Sequence, residues 1–406
     1  LLKIHGKGGN KMAIKTLELI RKRLAERPEE IAKARREGQK VVGWQGYNIP
    51  EEIIYALGLI PVRIGVGGDD RLVEIGARYI STKNCVFVRE TVGLFAENKD
   101  PYIQNTDFLA FDATCLQTYR TAEILEYYFN KEVIILGVPR NFYWPEAKVY
   151  FTKEVEYFTK RLEEQTGTKL DNQVLADTIA LYDRIREAIV TIYQYQAATA
   201  NYLSWEETYD LIHAGYYLDR REYLSLLEQV LSELREKQGQ PVIEVTEDEA
   251  RIFISGSVIP PGDKKLISII NEVGGRIVGD DLWSGLIPYL EVKIPENSLQ
   301  GLAVGYLNRT PHGALPYLDL DTDQRIKRLK ELIKTFKAQG VIYHTLRYCD
   351  PYTFKAKETK DILQKVGIPL LEIHTEYAGS DFEAIRTRVE AFVEMIRNKH
   401  YEEVAV

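Results

Sequence analysis

Cysteine is scarce, with three residues in 406. An odd number at long, uneven separations makes no disulfide framework, and a reducing cytoplasmic setting fits that usage best. No apolar run approaches the ~18 residues of a membrane span, and no secretory apolar core opens the chain. Basic charge is not in excess. The formal net charge of −7 argues against a nucleic-acid partner, which would want a concentrated basic face. Neither G-x-G-x-x-G nor the Walker pattern occurs, so no ATP site is visible and nucleotide hydrolysis would fall to a partner. Low-complexity segments are also missing.

What is present is ordinary for a globular chain, at 45% hydrophobic and 28% charged residues. The length exceeds what one core usually supports, which predicts two compact domains and a connecting element. Leu1–Lys11 reads as a leader or an added remnant, with Met12 as the natural start. Apolar residues at three- and four-residue steps predict a helix over Ile14–Glu37. Short apolar runs then alternate with helical patterns. Strands are predicted at Val41–Gly46, Ile60–Val66, Asp107–Ala113 and Glu132–Val138, with a helix over Pro50–Leu57. That alternation signals βαβ units and a parallel sheet. Phe151–Gln238 is helical throughout and reads as a packing and connecting region. Strands resume at Ala250–Gly256, Arg276–Asp281, Gly340–Cys349 and Ile368–His374. The expected architecture is α/β, with two doubly wound parallel-sheet domains plus N-terminal and connecting helical regions. Its divisions are residues 1–38, 39–150, 151–245 and 246–406.

The thiols carry the functional signal. Cys115 and Cys349 stand where predicted strands run out, and Cys85 lies in the polar loop Ser81–Cys85. Open α/β sheets bind ligands outside the carboxyl ends of their strands, and thiols there suit a soft metal. Iron in clusters prefers thiolate, usually four per cluster, so three would leave one iron open. No C-x₂-C spacing accompanies them, and inert buried thiols are the competing reading.

Glu51 and Glu52 open a helix, where the dipole favours acids, so capping competes with a place facing a cluster pocket. His344 precedes Cys349 by five residues on one predicted strand, which points it to the opposite face unless the strand end bulges. His374 ends the last predicted strand at the same sheet edge. Glu51, His344 and His374 are the candidates for proton delivery; His5, His213, His312 and His400 have no such context. Gly65–Gly68 and Gly256–Gly262 follow strands and could approach a phosphate, although tight turning explains them as well. Asp280-Asp281 suggests Mg²⁺ or, more simply, a cap.

Ordered motifs along nearly the whole chain resemble the 2-hydroxyacyl-CoA dehydratase superfamily, which includes benzoyl-CoA reductase subunits and double-cubane cluster proteins. They are Tyr47-Asn48-Ile49-Pro50-Glu51-Glu52, Ala56–Val62, Asn84-Cys85, Thr114-Cys115, Gly279–Gly285, Tyr348-Cys349-Asp350-Pro351-Tyr352, His374–Tyr377 and Thr387–Phe392. Two positions depart from the pattern. Val86 stands where proline is common, and Leu116-Gln117-Thr118-Tyr119-Arg120 replaces an Asp-Gly-Lys-Lys type run.

The resemblance implies that Cys85, Cys115 and Cys349 ligate a [4Fe–4S] cluster. It implies a separate activator ATPase, carrying its own iron–sulfur cluster, that delivers a low-potential electron. It further implies reduction of a small-molecule substrate. A homodimer would share a sulfide between two cubanes as a double cubane [8Fe–9S] in an iron–sulfur reductase. A heterodimer would be a 2-hydroxyacyl-CoA dehydratase (a lyase) or a benzoyl-CoA reductase acting on an acyl-CoA. The altered run after Cys115 leans toward the double cubane. A cluster-free binding or structural subunit is the reading from another class.

Overall fold

The structure is a computed structural model that describes residues 14–65, 67–141, 143–245, 249–315 and 323–398. The proposed leader, Met12, His5, His400 and the Val66 end of the second predicted strand lie outside the described residues.

Two four-stranded, all-parallel sheets organise the chain. The first contains β1 (Val41–Gln45), β2 (Ile60–Arg63), β3 (Phe108–Asp112) and β4 (Val133–Leu136), in the order β2-β1-β3-β4. The second contains β5 (Ala250–Gly256), β6 (Gly275–Asp280), β7 (Gly340–Leu346) and β8 (Leu370–Thr375), in the order β6-β5-β7-β8. β1, β2, β3, β5 and β7 are buried along their whole length. Helices cover both faces of such strands, which is why they read as continuous apolar runs without alternation. The strand order reverses between β1 and β3 and again between β5 and β7. Each sheet therefore opens a crevice at that switch point, beyond its carboxyl ends.

Two strands stop short of their predicted ends. β3 ends at Asp112, whose carboxylate accepts from Asn48 N at 2.5 Å and Thr114 Oγ1 at 2.7 Å. Those bonds turn the chain out of the sheet. β7 ends at Leu346, and Tyr348 then takes a left-handed φ of 64°, which is rare for a bulky side chain. Cys115 and Cys349 consequently sit not on strands but at the N-caps of the helices Leu116–Phe129 and Asp350–Lys365. Cys85 is likewise the N-cap of the helix Val86–Glu97.

The helix Asn172–Ala197 ties the sheets together. Asp171 caps it by accepting from Gln173 N at 2.7 Å and Val174 N at 3.0 Å. Its 26 residues span about 39 Å. At its middle Tyr182 and Arg186 bond Glu51 and Glu52 beside the first sheet. Near its end the Tyr193 hydroxyl donates to Asp280 at 2.6 Å, and Gln196 Nε2 donates to the Ile277 carbonyl at 2.8 Å. No helix among the described residues is long and apolar enough to cross a membrane.

The two glycine segments meet. Gly262 N donates to the Gly67 carbonyl at 3.2 Å, and a Cβ on Gly68 would lie 2.3 Å from Gly262 Cα. Close backbone contact is the use of these glycines. The amides of Gly68 and Asp69 are already bound by the Glu90 carboxylate, at 3.0 and 2.9 Å. Those two amides are therefore not free to cradle a phosphate.

Candidate functional site

The two switch-point crevices face each other, and one cavity fills the space between them. Gly46 and Tyr47 reach it from β1, Asp112, Thr114 and Cys115 from β3, Ser257 and Val258 from β5, and Cys349 from β7. Cys85 enters from the start of its helix, so all three cysteines line the same cavity. Its empty space, mouth included, is about 620 Å³. Three helix N-termini thus converge with a thiol at each. The partial positive charge of a helix start favours thiolate, which is the ligating form of cysteine.

Gln117 joins the three turns. Its Oε1 accepts from Cys85 N at 2.7 Å, and its Nε2 donates to the Tyr348 carbonyl at 3.0 Å. Because Gln117 stands two residues after Cys115, one side chain fixes all three cysteine-bearing segments.

The thiols are electrostatically linked. Cys349 donates to the Cys85 sulfur, which holds the Cys85 thiol below its usual range despite burial; the amides of Phe87 and Val88 and the Arg89 charge assist. The same bond, with burial and the nearby Cys85 and Cys115, pushes Cys349 well up. Burial also raises Cys115, against the amides of Thr118 and Gln117. The three thiols together therefore resist ionising at once, and a cation placed among them would reverse that preference.

Apolar Phe87, Val88, Val258 and Trp283 line the same cavity. His312 lines it as well, packed on Tyr47, Trp283 and Tyr352. Burial, then Arg325 and Arg309, lower its pKa to about 3. Its Nδ1 accepts from Ala314 N at 3.1 Å, so the neutral ring carries its proton on Nε2. No motif or spacing singles out His312, because the cavity reaches it through folding alone. Gly46 holds φ at 148°, and a Cβ there would meet the Asp112 carboxylate carbon at 2.5 Å.

The other candidates stand elsewhere. Glu51 is buried and held by Arg220 and Tyr182, on the wall of a second cavity that excludes the cysteines. Glu52 pairs with Arg186 and accepts from the Tyr306 hydroxyl at 2.8 Å. His344 is buried with Nε2 bonded to Thr375 Oγ1 at 2.7 Å; burial lowers its pKa to about 3. His374 bonds Thr345 Oγ1 at 2.5 Å and Glu372 at 2.7 Å, on an exposed edge. Neither histidine lines the cysteine cavity. Asp280 accepts from Tyr193, Trp205 Nε1, Leu282 N and Leu286 N, which is a structural hub and a turn cap.

Among the described residues, no group of three or more His, Cys, Asp or Glu side chains is placed to hold a single metal ion. A cluster asks for something different. Each cysteine binds its own iron, so the thiolates of a cubane stand farther apart than the ligands of one ion. Three thiols at three helix starts around one mainly apolar cavity supply such a donor set, and Cys85 and Cys349, hydrogen-bonded to each other here, would have to part to bind two irons.

A family model described as 2-hydroxyglutaryl-CoA dehydratase, D-component, matches residues 46–396. A benzoyl-CoA reductase subunit of Thauera aromatica is 24% identical over 362 residues, covering 88% of this chain and 91% of that one. The (R)-phenyllactyl-CoA dehydratase beta subunit of Clostridium sporogenes is 23% identical over 364 residues, covering 88% and 92%. The beta subunit of (R)-2-hydroxyglutaryl-CoA dehydratase of Acidaminococcus fermentans is 23% identical over 393 residues, covering 95% and 100%.

Proposed function

Because the chain belongs to the 2-hydroxyglutaryl-CoA dehydratase D-component family, we propose that it is the electron-accepting iron–sulfur component of a reductase or dehydratase. The observation that carries this reading is the convergence of Cys85, Cys115 and Cys349 on one cavity. A [4Fe–4S] cluster held by these thiolates supplies one-electron reduction next to an iron that no cysteine of this chain ligates. Gln117 keeps the three turns in register, and Phe87, Val258 and Trp283 limit water around them. The electron donor is an activator ATPase with its own cluster. Internal bonding of the Gly68 and Asp69 amides to Glu90 supports placing nucleotide hydrolysis on such a partner.

Leu116 is 62% exposed and Phe354 78% exposed, beside the groove that reaches Cys115. Their apolar surface next to the cysteines suits a second protomer that closes the site. With a like chain, the two-fold brings the same patch of each protomer together, and a sulfide-bridged double cubane is the product. With an unlike chain, the protein is one subunit of a dehydratase or benzoyl-CoA reductase. The names of the relatives support that second assembly, and the altered run at Leu116–Arg120 supports the first.

Anaerobic purification with iron, sulfide and mass determination tests the reading. Four irons per chain support the cluster. Nine sulfides per homodimer identify the double cubane, whereas eight per dimer identify separate cubanes. Iron-free protein after anaerobic expression would overturn the cluster reading and leave a binding subunit.

A further inference from the structure

Beside the cysteine cavity lies a second one, with about 680 Å³ of empty space, sharing Gly46, Tyr47 and Trp283 with the first. That volume lies in the range of small-molecule sites. Buried arginines dominate its chemistry. Arg220 and Arg186 are neutralised by Glu51 and Glu52. Arg63 and Arg309 are not: both are buried, and among the described residues no carboxylate pairs with either. Buried charges are ordinarily paired, because an uncompensated one is costly to take out of water.

The Arg63 guanidinium lies 4.8 Å from the Trp44 ring, 4.5 Å from Tyr216 and 5.1 Å from Trp283. Ring faces stabilise the cation but leave its N–H groups without acceptors. Three further buried donors on this cavity also lack acceptors: Trp44 Nε1, Arg220 Nη2 and Arg309 Nε. The deficit is all of one kind. Among the described residues every unmet group on this wall donates, the Arg63 cation has no facing carboxylate whereas Arg309 is drawn to Asp112, and the one acid on the wall, Glu51, is already held by Arg220 and Tyr182.

We propose that this cavity is a carboxylate-binding subsite, in which Arg63 grips the carboxylate of a small organic acid whose flat apolar body lies among the aromatic rings. A carboxylate supplies only acceptors and one negative charge, matching both deficits, and guanidinium pairs with it in bidentate fashion. The binding site stands whatever the cysteines hold. Its use as a substrate subsite rests on the cluster reading, since the shared Tyr47 and Trp283 walls place the far end of such an acid toward Cys85, Cys115 and Cys349.

Calorimetric titration of the intact, anaerobically purified protein tests the site, with benzoate, benzamide and inorganic phosphate as probes. Benzoate is expected to bind saturably and at least tenfold more tightly than benzamide, its neutral isostere. Arg63→Gln should weaken benzoate at least tenfold and Arg63→Lys less, with iron content unchanged. The comparison of benzoate with benzamide on the wild-type chain needs no variant, so misfolding of Arg63→Gln does not obscure it. Equal binding of the two, no benzoate binding, binding of phosphate alone, or full benzoate affinity in folded Arg63→Gln would each overturn the proposal. Iron-free protein that still binds benzoate would count against the cluster and for the subsite.

Discussion

Gln117 shows how one residue can govern a site to which it contributes no ligand. Truncating it leaves the buried Cys85 N–H without an acceptor, a loss of about 1–3 kcal/mol. Gln117→Ala is therefore expected to lose iron to a chelator severalfold faster than wild type while keeping its fold. Gln117→Glu should be worse although it keeps an acceptor for Cys85 N, because it sets a carboxylate oxygen against the Tyr348 carbonyl and a negative charge beside the thiolates. Equal chelation rates would mean that the helices alone position the thiols. Titratable side chains make a second prediction at this scale. Burial raises Asp281 to about 7 and Glu90 to about 8. Acids raised on folding stabilise the native state at low pH and lose that contribution as pH rises through the folded values. His213 and His344, lowered to about 3 by burial, do the reverse below the ordinary histidine range of about 6.5. Thermal midpoints should thus peak at pH ~5.5, where these opposing slopes cancel, with the fall from there toward pH ~8 shallower in Asp281→Asn. A fall as steep in Asp281→Asn as in wild type would refute that assignment. The gathering of the cysteines at one cavity was legible in the sequence because thiols are few and two of them, Cys115 and Cys349, stood near strand ends. His312 and Arg63 were not, because their roles come from what folding brings around them.

At the scale of elements, strands and helices were readable as apolar runs and periodicities, yet their ends were not. β3 and β7 stop where side-chain bonds of Asp112 and the left-handed Tyr348 turn the chain, and no hydropathy pattern encodes either event. The consequence is functional, since a cysteine on a strand would lack the helix start that now favours its thiolate. The glycine contact between the two sheets' loops was equally hidden; the sequence showed glycines that follow strands but not that they meet. Gly68→Ala tests that contact. Its φ is +112°, and its Cβ would collide with backbone atoms of Gly262 and Asp263 that no rotamer change can move. A cost of roughly 2 kcal/mol is expected. Gly58→Ala is the control, with φ +75° and no atom within 4 Å of its Cβ, so it carries only the backbone penalty of about 1 kcal/mol. Denaturant midpoints measure both, and equal losses would show that the loops separate without resistance.

Across the whole molecule, two parallel sheets of the same strand order turn their switch points toward a common cavity. Cys85 and Cys115 belong to the first sheet's side of it and Cys349 to the second's. If the three hold one cluster, the ligand does more than accept electrons: it cross-links the sheets across a long stretch of chain. Without it, the halves are joined by the helix Asn172–Ala197, by the glycine contact and by bonds such as Tyr47 Oη to the Thr310 carbonyl at 2.8 Å. A cross-link closing a loop of this length restricts the unfolded chain by about 5 kcal/mol. In a chain of 406 residues that corresponds to roughly 6 °C in Tm. Anaerobic removal of iron and sulfide should therefore lower Tm by about that amount and raise amide exchange around Gly67, Gly262 and Tyr348, leaving the sheet interiors protected. Cys349→Ser should reproduce the loss even where iron remains on Cys85 and Cys115, because the bridge to the second sheet is gone. Stripped and loaded protein melting together would show that the three thiols do not span the sheets, and with that the cluster would lose its structural role.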